Sequence, residues 1–176
     1  MKQASRYLLP LKGLITLPKT PDWRFILSHP AHFLAFGFGS GLSPFAPGTA
    51  GTLAAFPLYL LLMPLLGQTM MLIALVAAFI VGIWFCDKTG RALGVADHGG
   101  IVWDEIVAFM LVLLFIPQTV LWFSVAFGLF RLFDIWKPFP IRYFDTHIKN
   151  GFGVMLDDLL AAGYALIVLK GLLWLK

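Results

Sequence analysis

Two pairs of adjacent acids, Asp104-Glu105 and Asp157-Asp158, sit in apolar helical surroundings with no basic residue one turn away. Like charges so close repel unless a cation holds them. Carboxylate oxygens with few histidines nearby suit a hard ion, Mg²⁺ ahead of Zn²⁺. Asp104, Glu105, Asp157 and Asp158 are therefore the expected metal ligands, with Asp97 and Asp134 as further ligands or supports. The second pair has another reading: near a helix start the dipole favours negative charge by about 0.3–1 kcal/mol. The inference rests on both pairs together.

Eight of the nine acids fall in "DKTGRALGVADHGGIVWDE" (87–105), in "RLFDIWKPFPIRYFDTHIKNGFG" (131–153), or just after it. Asp87 has Arg91 one helical turn away, an ordinary surface pair, and Asp145 fits a loop or capping role. Arg131, Asp134 and Lys137 recur every three residues and so share one helix face. That row is either an ion-pair ladder or, beside a metal, two cations offered to a phosphate. His98, in "ADHGG", is a proton-transfer group or a loop hydrogen-bonder. Asp97, His98, Asp134 and Lys137 make up the expected catalytic group, with Arg131 and Lys137 as phosphate ligands.

"GLSPFAPGTAGT" (41–52) is rich in glycine and hydroxyls and carries no charge. Pro47 and Gly48 turn the chain, and Thr49 or Thr52 caps the helix that follows. A helix start with glycines also lets a phosphate approach backbone N–H groups, so Ser43, Gly48, Thr49 and Thr52 are expected to cradle one. Other phosphate chemistries are absent. No GKS or GKT follows the glycines, Arg91 stands five residues after Cys86 where a cysteine phosphatase needs six, and no DxDx(T/V) occurs. Metal-activated water is the default attacking group.

The elements that must position these residues are membrane helices. Sixty per cent of the 176 residues are apolar and 12% charged, too little polar surface for a water-soluble globule of this size. Residues 25–86, 106–130 and 159–169 carry no charge at all. Apolar runs at 52–66 and 70–86, parted by "GQT", predict a helical hairpin. "PQT" at 117–119 divides 106–130 into a second hairpin or a kinked helix. If both polar blocks build one site they lie on one face, which requires an even number of crossings and favours the hairpin. Several runs fall short of the ~20 residues of a full crossing. The expectation is an all-α, polytopic membrane bundle of four or five membrane helices, with room for re-entrant segments.

Residues 1–30 read as a basic interfacial segment and 31–176 as one membrane-embedded catalytic domain. Five basic residues before position 25 against Asp22 alone place the N-terminus on the cytoplasmic side and do not call for a nucleic-acid partner. The segment has no compact apolar core with a cleavage site, so it is not a signal peptide. Cys86, the single cysteine, excludes an internal disulfide.

Four separated stretches, "GFGSGLSPFAPGTAGT" (37–52), "DKTGRALGVADHGGIVWDE" (87–105), "FRLFDIWKPFPI" (130–141) and "GVMLDDLLAAGYA" (153–165), resemble the phosphatidylglycerophosphatase A family in order along most of the chain. The resemblance implies a Mg²⁺-dependent lipid phosphatase of the bacterial inner membrane. Such an enzyme hydrolyses phosphatidylglycerophosphate in the bilayer to phosphatidylglycerol and phosphate. Two rivals have weaker support. A CDP-alcohol phosphotransferase needs DxxDGxxAR in one segment, which does not occur. A proton- or cation-relay transporter should carry its acids at mid-membrane depth, whereas these stand at helix ends.

Overall fold

The computed structural model describes residues 21–175; most of the N-terminal basic segment lies outside them. Among the described residues the chain is all-helical, in the order α1 (Trp23–Leu27), α2 (Pro30–Ala35), a 3-10 segment (Gly37–Leu42), α3 (Pro47–Leu93), α4 (Trp103–Leu114), α5 (Val120–Trp136), α6 (Ile141–His147) and α7 (Gly151–Trp174). Helix α1 is already part of the packed body: Ile26 is fully buried and Phe25 stacks on His32.

Helix α3 is two limbs. Gly67 takes φ +70°, ψ 171°, a conformation that glycine alone adopts without strain. A straight helix would hold Gly48 and Gly82 about 50 Å apart. Instead Gly48 abuts Glu105 and Gly82 abuts Trp103, so the chain reverses at Gly67, within the predicted "GQT" turn. A second reversal follows α4. Arg131, near the end of α5, lies 3.8 Å from Glu105 at the start of α4, so α4 and α5 form an antiparallel hairpin around Pro117–Thr119.

Helix α4 is central. It is apolar on every side beyond its first turn, and Ile106, Phe109, Val112 and Leu113 are at most 1% exposed, as befits a helix surrounded by others. Its twelve residues reach about 18 Å, short of a ~30 Å hydrocarbon core. Among the described residues, α3 and α7 are the two helices long and apolar enough to cross a membrane. Their outward faces stay apolar: Leu61, Leu65, Ile80 and Ile167 are each more than half exposed. The two hairpins bring the start of α3, the start of α4, the end of α5 and the first turns of α7 to one end of the bundle.

Candidate metal and phosphate site

Helix α4 begins with no side-chain cap, and Asp104 and Glu105 fill its first turn, where the dipole favours their charge. Helix α7 begins at Gly151, capped by Asn150, whose Oδ1 accepts from Gly153 N at 3.1 Å. Asp157 and Asp158 therefore stand in its second turn, where the dipole has faded. A helix start does not account for this pair.

One oxygen from each of Asp104, Glu105 and Asp158 lies within 4.8 Å of the others. Asp104 and Asp158 are 7% and 3% exposed, and the Glu105 side chain 12%. Asp104 Oδ1, Glu105 Oε2 and Asp158 Oδ2 are buried without a hydrogen-bond partner. Buried acidic oxygens left so are costly unless a cation joins them. Three carboxylate donors with no histidine or cysteine fit a hard divalent ion.

Asp157 has a different neighbour. Successive helical residues diverge by about 100°, so when Asp158 turns into the triad, Asp157 turns away. Its Oδ2 accepts from Lys137 Nζ at 2.5 Å, and its Oδ1 accepts from Asp158 N at 3.1 Å. Glu105 overcomes the same divergence from Asp104 through its extra methylene. Lys137 reaches α7 because it closes α5 in the left-handed conformation (φ +47°), its N–H bonded to Phe133 O, and Pro138 stops the helix. Burial alone would lower the Lys137 pKa, but Asp157, Asp145 and Asp97 hold it above the ordinary lysine value.

Arg131 borders the triad. Its Nη1 lies 2.6 Å from Asp134 Oδ2 and 3.8 Å from Glu105 Oε1, but neither approach has hydrogen-bond geometry. Nη1 and Nε are both buried donors without a partner. The guanidinium is thus held by charge with N–H groups still to offer. Gly48 is packed against it. A Cβ at Gly48 would stand 3.1 Å from Arg131 Nη1 and closer still to Glu105 Oε1.

The remaining expected residues fall into two groups. Thr49 is half-buried in the first turn of α3, next to Gly48. Thr52 Oγ1 donates to Gly48 O at 2.9 Å and Ser43 Oγ to Phe45 O at 2.7 Å, so both hydroxyl protons are spent on backbone carbonyls. Asp97 is exposed on the loop before α4, within electrostatic range of Lys137 and Asp157. His98 faces Phe36, and its Nδ1 accepts from Gly100 N at 3.0 Å, which leaves the proton of the neutral ring on Nε2. Burial lowers its pKa, against the pull of Asp97.

Two features escape the sequence. Asp145 Oδ1 pairs with both Lys137 (3.3 Å) and Lys149 (3.4 Å). The i,i+4 spacing to Lys149 was a readable signal; the Lys137 contact, across the "KPFP" turn, was not. His32 Nδ1 and Thr89 Oγ1, 2.9 Å apart and buried, tie α2 to α3 across 57 residues and leave no local trace.

Residues 33–173 match the family model described as Phosphatidylglycerophosphatase A. The phosphatidylglycerophosphatase A of Haemophilus influenzae is 54% identical over 149 residues, covering 84% of this chain and 91% of that protein. That of Escherichia coli is 43% identical over 139 residues, covering 78% and 80%. A Bacteroides thetaiotaomicron relative, 43% identical over 145 residues (78% and 90%), carries a phosphatidylinositol-3-phosphatase name. No solved structure matches. With most of its length matched by the model and by relatives well above 30% identity, the chain belongs to the phosphatidylglycerophosphatase A family.

Proposed function

We propose that this protein is a Mg²⁺-dependent lipid phosphatase that hydrolyses phosphatidylglycerophosphate to phosphatidylglycerol and phosphate. The observation that carries the reading is a juxtaposition of unsatisfied groups of opposite sign. Three buried carboxylate oxygens want a cation, and Arg131 beside them, although paired with Asp134 through Nη1, keeps a buried Nε with no hydrogen-bond partner to offer an anion. A divalent ion and a phosphomonoester together satisfy both. The family membership agrees, and the two relatives named for phosphatidylglycerophosphate favour that headgroup.

Asp104, Glu105 and Asp158 would hold the ion, which when bound supplies Lewis-acid polarisation of the phosphoryl group and a more acidic water. Arg131 faces the phosphate oxygens and offsets the charge that develops as water attacks phosphorus in line. Asp134 fixes the guanidinium, Gly48 lets Arg131 and Glu105 come close against the first turn of α3, and Thr49 stands next to it as a phosphate ligand. Lys137 adds a second positive charge and holds Asp157 and Asp145. The water oxygen bonds to phosphorus, the glycerol oxygen leaves and takes a proton, and Asp97 and His98 on the neighbouring loop manage that proton exchange.

The exposed apolar faces of α3 and α7 suit lipid contact. We read the two limbs of α3, α4, α5 and α7 as five passes in the bacterial cytoplasmic membrane, with the short α4 shielded from lipid by its neighbours. The polar end, and with it the N-terminus, faces the cytoplasm. Incubating purified protein with phosphatidylglycerophosphate tests the reading: phosphate release with Mg²⁺ and none with EDTA is the expected result. Release that ignores EDTA would remove the metal role, and no release under either condition would remove the activity.

A further inference from the structure

The acids at the polar end are continuous with an apolar cavity. A cleft of about 140 Å³ lies between the second limb of α3, α4 and α7, and Asp104 is its one non-apolar wall residue. From Asp104 it runs beside Val107 to Leu111 on α4, about 10 Å at 1.5 Å per residue. Leu75 and Phe79 close it on the α3 side and Met155 on the α7 side. Asp104 is thus shared by the carboxylate triad and the cleft. One end of the cleft is a carboxylate of the triad, and everything beyond is hydrocarbon.

The geometry points to an acyl-chain subsite: a segment of one fatty chain of a phospholipid substrate lies in this cleft while its terminal phosphate sits at the triad. The assignment rests on the lipid-phosphatase reading above. Water is a poor occupant of such a wall, since it would find hydrogen-bond partners at the Asp104 end alone. A chain entering from the bilayer has a route, because Val76 at the rim is 53% exposed on the outward side of α3. The occupant must be amphiphilic, with an anionic group at the triad and a hydrocarbon segment in the cleft. In phosphatidylglycerophosphate a glycerol, a phosphodiester and the acylated glycerol separate the terminal phosphate from the chains, so this polar stretch stays outside the apolar wall and the chain enters at the Val76 rim. Through the cleft, the bundle would select substrates that keep a chain in the membrane over soluble phosphomonoesters carrying the same headgroup.

The test compares two substrates and two rim variants. Phosphate release is measured in mixed micelles from dioleoyl phosphatidylglycerophosphate and from its dibutyryl analogue. Val76→Trp and Leu159→Trp each push an indole into the cleft from its accessible edge. The expected result is a fall of about tenfold or more in the ratio of kcat/KM for the long-chain over the short-chain substrate, carried by KM. An unchanged ratio overturns the subsite, whether both activities persist or fall together. Labelling by a phospholipid with a diazirine in its acyl chain provides a readout independent of turnover. Covalent capture on the Leu111 or Met155 peptide supports the subsite, and capture confined to outward residues such as Leu61 and Ile167 overturns it. Wild-type protein inactive on both substrates defeats the phosphatase reading, and the labelling result then decides the cleft separately.

Discussion

The Lys137 ammonium meets the Asp157 carboxylate at 2.5 Å, while the next residue, Asp158, turns the other way into a triad with Asp104 and Glu105. Two identical, adjacent acids therefore do different work. One neutralises a lysine that closes α5, and the other offers an unpartnered oxygen to a cation.

The two asparagine variants of this pair should separate those roles. Asp158→Asn removes a triad ligand and should weaken Mn²⁺ or Mg²⁺ binding by more than about tenfold, the scale set by losing even an outer-sphere partner of a metal site. Asp157→Asn should keep most of the affinity and lose stability, because Lys137 loses its nearest acid and keeps Asp145 at 3.3 Å. Calorimetric titration of the metal and thermal unfolding in detergent read the two effects. Equal loss of metal affinity in both variants would place Asp157 in the triad as well.

Gly48→Ala sets two tendencies against each other. Alanine is favoured over glycine in a helix by about 1 kcal/mol, and Gly48 is helical. The new methyl, however, would press on Glu105 Oε1 and stand 3.1 Å from Arg131 Nη1. Both side chains must shift by some tenths of an ångström or more, and misplacement on the ångström scale costs about 10²-fold in rate. The expected variant has a melting temperature near wild type and kcat/KM lowered by one to two orders of magnitude, about 1–3 kcal/mol. Wild-type activity would show that the glycine is there for the turn alone.

How much of this was legible differs by residue. Gathering Asp104, Glu105, Asp134 and Asp158 at one end is the premise under which an even number of crossings is expected, and "GQT" and "PQT" are the turn signals that make those crossings readable. The Arg131–Asp134 pair follows from i,i+3 spacing. The division of labour within Asp157-Asp158 was hidden, because it depends on the rotation of α7 against α4 and α5, which periodicity does not fix. Ser43 and Thr52 show another limit. A hydroxyl near a helix start looks like a free donor, but its proton goes to whichever carbonyl the local turn presents. The Lys137–Asp145 contact depends on a left-handed lysine, a conformation rare enough outside glycine that no spacing rule anticipates it.

Two histidines contribute stability that mild acid removes. Burial lowers the pKa of His32, with further lowering from His29 and Lys88, and burial also lowers that of His98 against the pull of Asp97. Unfolded, each takes up a proton near the ordinary value of 6.5; folded, only at lower pH. In between, these two positions bind more protons in the unfolded chain, so their contribution to stability rises with pH through this window and is lost as pH falls through 6.5. The melting temperature of wild type in detergent, taken relative to that of His32→Gln at each pH, should therefore drop between about pH 7.5 and about pH 5.5. A difference that stays constant with pH would clear His32 as a source.

Gly67 gives a test of the hairpin that leaves the site alone. Its φ of +70° with ψ of 171° is essentially closed to other residues, and forcing one there costs about 1–3 kcal/mol. A Cβ at Gly67 would meet nothing within 4 Å, so Gly67→Ala carries the backbone cost without a clash. Gly163→Ala is the control. It too meets nothing within 4 Å, but it lies inside α7, where alanine is preferred by up to about 1 kcal/mol. The same added methyl should lower the melting temperature at position 67 and leave it level or raise it at 163. Because the first limb of α3 separates Gly67 from Gly48 by about 28 Å, phosphate release by the folded Gly67→Ala protein at low temperature should match wild type. If the two variants melt alike, the reversal does not depend on the backbone freedom of Gly67. If Gly67→Ala loses activity while still folded, the turn is coupled to the site through the length of α3.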